Sequence, residues 1–98
     1  MEMDDWREML QAIFAAAKGW QGERIGYDTI DNYIISTVET YDQGWETAIR
    51  KITGTWVIVA RYPNKEEAQA GHDTWCSFLK LNKPTHAYSV QTKEIEVL

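Results

Sequence analysis

Between Tyr33 and Tyr62 the chain carries three closely spaced runs rich in β-branched and aromatic residues, broken only by short turn sequences. Tyr33 to Tyr41 alternates, with Ile34, Ser36, Val38 and Thr40 on one side and Tyr33, Ile35, Thr37 and Glu39 on the other. Asp42, Gln43 and Gly44 supply a turn, Trp45 to Ile52 alternates again, and Thr53 with Gly54 makes a second tight connection. Thr55 to Tyr62 is the most apolar of the three and belongs inside a sheet. Runs this short and this close leave room for hairpins and none for crossover helices, so the expected topology is an antiparallel meander.

Helical periodicity flanks the meander. Trp6, Met9, Leu10, Ile13 and Ala17 share one face of a segment from about Asp5 to Lys18, with Gly19 placed to stop it. The polar, glycine-containing stretch Trp20 to Asn32 reads as a loop. After Pro63, Asn64 caps a second helix whose Glu67 stands where its carboxylate can reach back to the cap. Its interior Gly71 costs about 1 kcal/mol relative to alanine and so implies close approach to the sheet. Ala87 to Lys93 alternates once more as a last strand. The expected fold is α+β, in the order α-β-β-β-α-β, an antiparallel sheet with two helices packed on one face. It forms one small domain over 1–98, with an N-terminal helix at 1–19, the meander at 33–62, a helix at 64–80 and the last strand at 87–93.

With 98 residues the chain has modest capacity for a core, and its five tryptophans compensate, each burying about 150–250 Å². A net charge of −5 argues against general nucleic-acid binding and against an anionic membrane surface. No apolar run spans a membrane, the acidic start is unlike a signal peptide, and a lone Cys76 forms no internal disulfide. Together these point to the cytoplasm. The charge is divided: residues 1–49 hold three basic and ten acidic side chains, residues 50–98 seven basic and five acidic.

Catalytic signatures are missing: no phosphate loop, no nucleophile elbow and no metalloprotease helix. The expectation is a protein that is not an enzyme and holds no cofactor. His72 and Cys76 stand four apart on one helical face, the spacing at which two side chains share a metal. Zinc needs further ligands, and His86 and Asp73 lie at no recognisable spacing, so no metal is expected. His72 is instead read as a helix residue bonded to a neighbouring strand, and Cys76 as a small buried hydrophobe. Glu39 and Glu46 flank the first hairpin and could act as an acid/base pair, although a basic partner such as Arg61 or Arg50 across the sheet is the simpler reading. The late basic residues together with Trp45, Trp56 and Trp75 supply the parts of a small nucleotide pocket. The acidic half, with Asp4, Asp5 and Glu8, supplies a surface for a basic protein partner.

The motifs Ile35-Ser36-Thr37-Val38, Gly44 with Glu46-Thr47-Ala48, Arg61-Tyr62, and Glu66-Glu67-Ala68 followed by Gly71-His72 and Trp75 occur in that order. In order and spacing the stretch from about Tyr33 to Lys80 resembles a family of short proteins of tailed bacteriophages and prophages. The resemblance implies a phage origin and a setting in the host-cell cytoplasm, and no particular reaction. Small acidic phage proteins without catalytic motifs are similar to accessory proteins that disable host defences. The function expected on that footing is a non-catalytic binding protein that counters host defence. It would work as a homo-oligomer sequestering a nucleotide immune signal through Glu46, Arg61, His72, Trp45, Trp56 and Trp75, or by capping a host defence protein through Asp4, Asp5 and Glu8. The alternatives are a virion or assembly accessory protein and a homo-oligomeric interaction module.

Overall fold

A computed structural model describes residues 22–41 and 44–98. The helix expected at 1–19 lies outside the described residues. Those described run β1 (Arg24–Ile30), β2 (Tyr33–Glu39), β3 (Trp45–Lys51), β4 (Val57–Tyr62), α1 (Lys65–Leu81), β5 (His86–Ser89) and β6 (Glu94–Val97). The order is β-β-β-β-α-β-β, which corrects the expected α-β-β-β-α-β with two helices on one sheet.

Two segments account for the difference. Arg24–Ile30, expected as loop, is a strand paired antiparallel with β2 from Arg24↔Val38 to Ile30↔Tyr33, the chain turning through Asp31 and Asn32. Asp31 takes φ 55, a left-handed conformation that a short polar side chain tolerates. Gly26 and the exposed Tyr27, Asp28 and Thr29 disguise β1 because it is an edge strand with little of its surface buried, so no apolar pattern marks it. The expected last strand is instead a hairpin: β5 and β6 pair from His86↔Val97 to Ser89↔Glu94, and residues 90–93 form the turn, with Lys93 at φ 62. This pair is a separate two-stranded sheet, while β1-β2-β3-β4 form the main one in sequence order.

The meander itself follows its alternation. Tyr33, Ile35, Ile49 and Val57 cluster with Leu79 of α1 and with Leu98, and Trp75, Cys76, Val59 and Ala87 pack against them. Burying one such large aliphatic side chain contributes about 1.5–3 kcal/mol. On the opposite face Ile34, Ser36, Glu46, Ala48, Arg50 and Ile58 are buried as well. The central strands are therefore covered on both sides.

Helix α1 starts where the capping residues place it. Asn64 accepts the Glu67 backbone N–H at 2.9 Å, and Glu67 takes the Asn64 side-chain amide at 3.0 Å. At the far end Asn82 closes the last turn by donating from both backbone and side chain to the Phe78 carbonyl. At 17 residues, α1 is not long and apolar enough to cross a membrane, and no other helix lies among the described residues.

Gly71 is the point of closest approach to the sheet: a Cβ there would lie 2.2 Å from the Tyr62 hydroxyl and 2.3 Å from its ring. In an open helix Gly→Ala gains about 1 kcal/mol. Here Gly71→Ala is expected to lose about 1–3 kcal/mol through overpacking, read as a fall in the urea midpoint at unchanged slope.

Candidate functional site

A chain of side-chain hydrogen bonds crosses the sheet under α1. His72 is 3 % exposed and bridges two strands: its Nε2 lies 2.7 Å from Asp28 Oδ2 on β1 and its Nδ1 2.7 Å from Thr37 Oγ1 on β2. Thr37 and Thr47 hydroxyls meet at 2.6 Å, and Thr47 reaches the Tyr62 hydroxyl at 3.1 Å. One assignment satisfies every group: Tyr62 donates to Thr47, Thr47 to Thr37, Thr37 to His72 Nδ1, and His72 Nε2–H to the Asp28 carboxylate. Gly26 makes room for the imidazole, since a Cβ there would lie 2.5 Å from Nε2.

The Asp28-His72-Thr37 sequence of partners has the outline of a hydrolytic triad, yet Thr37 is fully buried and meets no substrate. The row of hydrogen bonds joins α1 to the sheet. Thr37→Val keeps the shape while stranding His72 Nδ1 and the Thr47 hydroxyl. It is expected to cost about 1–3 kcal/mol in thermal or urea unfolding.

Cys76 sits one turn beyond His72 and points its thiol toward Asp28 Oδ2 at 3.8 Å. Burial, together with the nearby Asp28 charge, pushes its pKa up to about 11 from an ordinary 9.0. A raised pKa keeps the thiol protonated at neutral pH, so alkylation at pH 8 is expected to run about 100-fold slower than at an unperturbed thiol. Asp28→Asn, which removes the charge and its hydrogen bond, should speed that reaction. Burial likewise raises the Tyr62 phenol at the other end of the chain, the bond to Thr47 lowering it in part.

The residues expected to form a nucleotide pocket are split between the two faces of the sheet. Glu46 and Arg61 pair across β3 and β4 on the face away from α1, Nε to Oε2 at 3.5 Å, with Glu46 buried. Arg50, on that same face, sets its guanidinium 5.1 Å from the Trp56 ring and donates to the Ile52 carbonyl at 2.6 Å. His72 and Trp75 belong to α1 on the other face, and Trp45 stands opposite Tyr62 and Glu39. Glu39 and Glu46 are adjacent to Trp45 on opposite pleats, so they form no acid/base pair. Asp4, Asp5 and Glu8 lie outside the described residues.

The divided charge is used within the chain. Glu23 pairs with Lys65 at 2.5 Å, Asp31 with Lys83, Asp28 with His72 and Glu46 with Arg61. Each joins an acid of the first half to a base of the second. Three of them bind the edge strand β1 and its turn to α1 and its flanks.

An apolar cleft of about 210 Å³ opens between α1 and the C-terminal hairpin, lined by Ile49, Val59, Trp75, Phe78, Pro84, His86, Ala87 and Tyr88. Trp75 and Phe78 meet edge to face at 5.6 Å. Because His86 stands opposite Val97 and Tyr88 opposite Ile95, these four side chains share one face of the hairpin. Phe78, Tyr88, Ile95 and Val97 are all exposed. The cleft is hidden in the sequence because the expected last strand, 87–93, covers β5 and the turn after it and leaves out β6, and Asp28 is hidden because residues 24–30 read as loop.

No protein-family model, no curated protein and no solved structure matches the chain.

Proposed function

We propose that this is a non-catalytic binding protein that docks on another protein through the cleft between α1 and the hairpin. On the phage resemblance, that partner is a component of host defence. The observation that carries the reading is the cleft's size and lining. Small-molecule sites usually measure about 300–1,000 Å³ and hold several convergent polar groups. This one is about 210 Å³, has no carboxylate, ammonium or guanidinium among its lining side chains, and adjoins exposed Tyr88, Ile95 and Val97. Those dimensions suit one aromatic or branched aliphatic side chain inserted by a partner, with the aromatic rim supplying the surrounding contact. A nucleotide is disfavoured because Arg61 and Glu46 face the other side of the sheet.

Tyr88→Asp and Ile95→Asp change exposed positions and should leave thermal unfolding within about 0.5 kcal/mol of the parent. In bacteria carrying defence systems, the parent chain is expected to raise phage plating and both variants to abolish the effect. Variants as active as the parent would remove this surface from consideration. A dimer in solution that Ile95→Asp splits would identify the occupant as a second copy of the chain and overturn the partner reading.

A further inference from the structure

Asp28, His72 and Cys76 bring three different ligand atoms to one place, Nε2, Sγ and a carboxylate oxygen, all within 4.8 Å of one another. The helical i, i+4 spacing sets His72 and Cys76 on the same side of α1, and the pairing of β1 with β2 sets Asp28 across from them. In a tetrahedral zinc site the bond lengths fix the spacing between ligand atoms at about 3.3 Å for N and O and about 3.5 Å for S and O. The corresponding distances here are 2.7 Å and 3.8 Å. The imidazole nitrogen and the thiol stand up to 4.8 Å apart, so an ion is accommodated only if the Cys76 thiol turns toward Nε2, to about 3.5 Å, while the Asp28 carboxylate draws back from the imidazole by about 0.6 Å. That side chain is 55 % exposed on an edge strand and has the freedom to do so.

We propose that these three residues form a binding site for a divalent transition metal, zinc by preference, with water completing the tetrahedron. Imidazole, thiolate and carboxylate together select zinc over the hard cations magnesium and calcium. One thiolate and one carboxylate balance the charge of the ion. The supporting contacts of a metal-bound histidine are also in place: Thr37 bonds the other ring nitrogen at 2.7 Å, and Thr47 fixes Thr37. Half-buried Cys76 and exposed Asp28 give the ion a route from solvent to the buried imidazole.

On binding, the S–H bond of Cys76 breaks, the S–Zn bond forms, and one proton leaves to solvent. The imidazole proton moves from Nε2 to Nδ1, freeing the Nε2 lone pair for the metal and turning Nδ1 into a donor to Thr37. No electron is transferred. The site uses none of the cleft residues, so it stands or falls independently of the docking surface.

Cobalt(II) is the probe, added to the full chain after treatment with a chelator. The expected result is an absorption envelope of tetrahedral cobalt with a thiolate-to-cobalt band in the near ultraviolet, at one ion per chain. Zinc should displace the cobalt and slow the alkylation of Cys76 at least tenfold. Cys76→Ser removes the near-ultraviolet band, and Asp28→Asn weakens cobalt binding at least tenfold. If a variant misfolds, zinc protection of Cys76 in the parent chain decides the matter alone. Alkylation unaffected by zinc would overturn the proposal, as would a cobalt spectrum that persists unchanged in Cys76→Ser, which would mark an adventitious ion.

Discussion

The contact on which the architecture most depends is the bridge that His72 makes between two strands. β1 is an edge strand with little buried apolar surface, and α1 is the element packed across it. A buried imidazole with both nitrogens engaged, 2.7 Å from Asp28 and 2.7 Å from Thr37, fixes the helix against β1 and β2 at once. The pairs Glu23–Lys65 and Asp31–Lys83 brace the same junction at its ends. Exposed ion pairs of that kind contribute about 0–1 kcal/mol each, whereas a stranded partner of His72 costs about 1–3 kcal/mol. The histidine therefore governs the junction and the ion pairs trim it. Gly26 and Gly71 serve the same arrangement, one leaving space for the imidazole and the other for Tyr62.

The part of the fold legible in the sequence was the part that burial dictates. β2, β3 and β4 are legible because their β-branched and aromatic residues fit a buried, pleated sheet, and α1 declares itself through Asn64, Glu67 and its apolar face. β1 was illegible because an edge strand answers to its partners more than to burial: its glycine exists for the His72 ring and its aspartate for the His72 nitrogen. β5 is legible as the start of the expected strand 87–93, but the hairpin and β6 are not, because four residues carry too little pattern and Lys93 turns the chain in a conformation that glycine or asparagine would have signalled. The same limit governed the candidate site. His72 bonded to a strand and Glu46 held by Arg61 follow from a helix laid on the sheet and from two strands joined in a hairpin. Asp28 beside Cys76 requires knowing that residues 24–30 return to the sheet.

The charge division also changes meaning once the pairs are drawn. An acidic first half and a more basic second half suggest two surfaces for two kinds of partner. Among the described residues three acids of the first half pair with Lys or Arg of the second, and a fourth, Asp28, accepts a hydrogen bond from His72. On the binding reading proposed above, recognition falls to the aromatic and aliphatic face around Trp75, Phe78 and Tyr88. Binding there would be governed by shape and desolvation and would respond weakly to salt.

With His72 neutral and its proton on Nε2, the hydrogen-bond chain from Asp28 to Tyr62 runs in one direction. Each hydroxyl between its ends gives one proton and receives one, so none can reverse alone without leaving a donor facing a donor. A proton placed on Nδ1 of His72 obliges Thr37, Thr47 and Tyr62 to turn together, and the phenol then donates outward instead of inward. The row thus carries one bit: whatever occupies the imidazole at the β1 edge is written, through three hydroxyl rotations and no backbone movement, at the far side of the sheet.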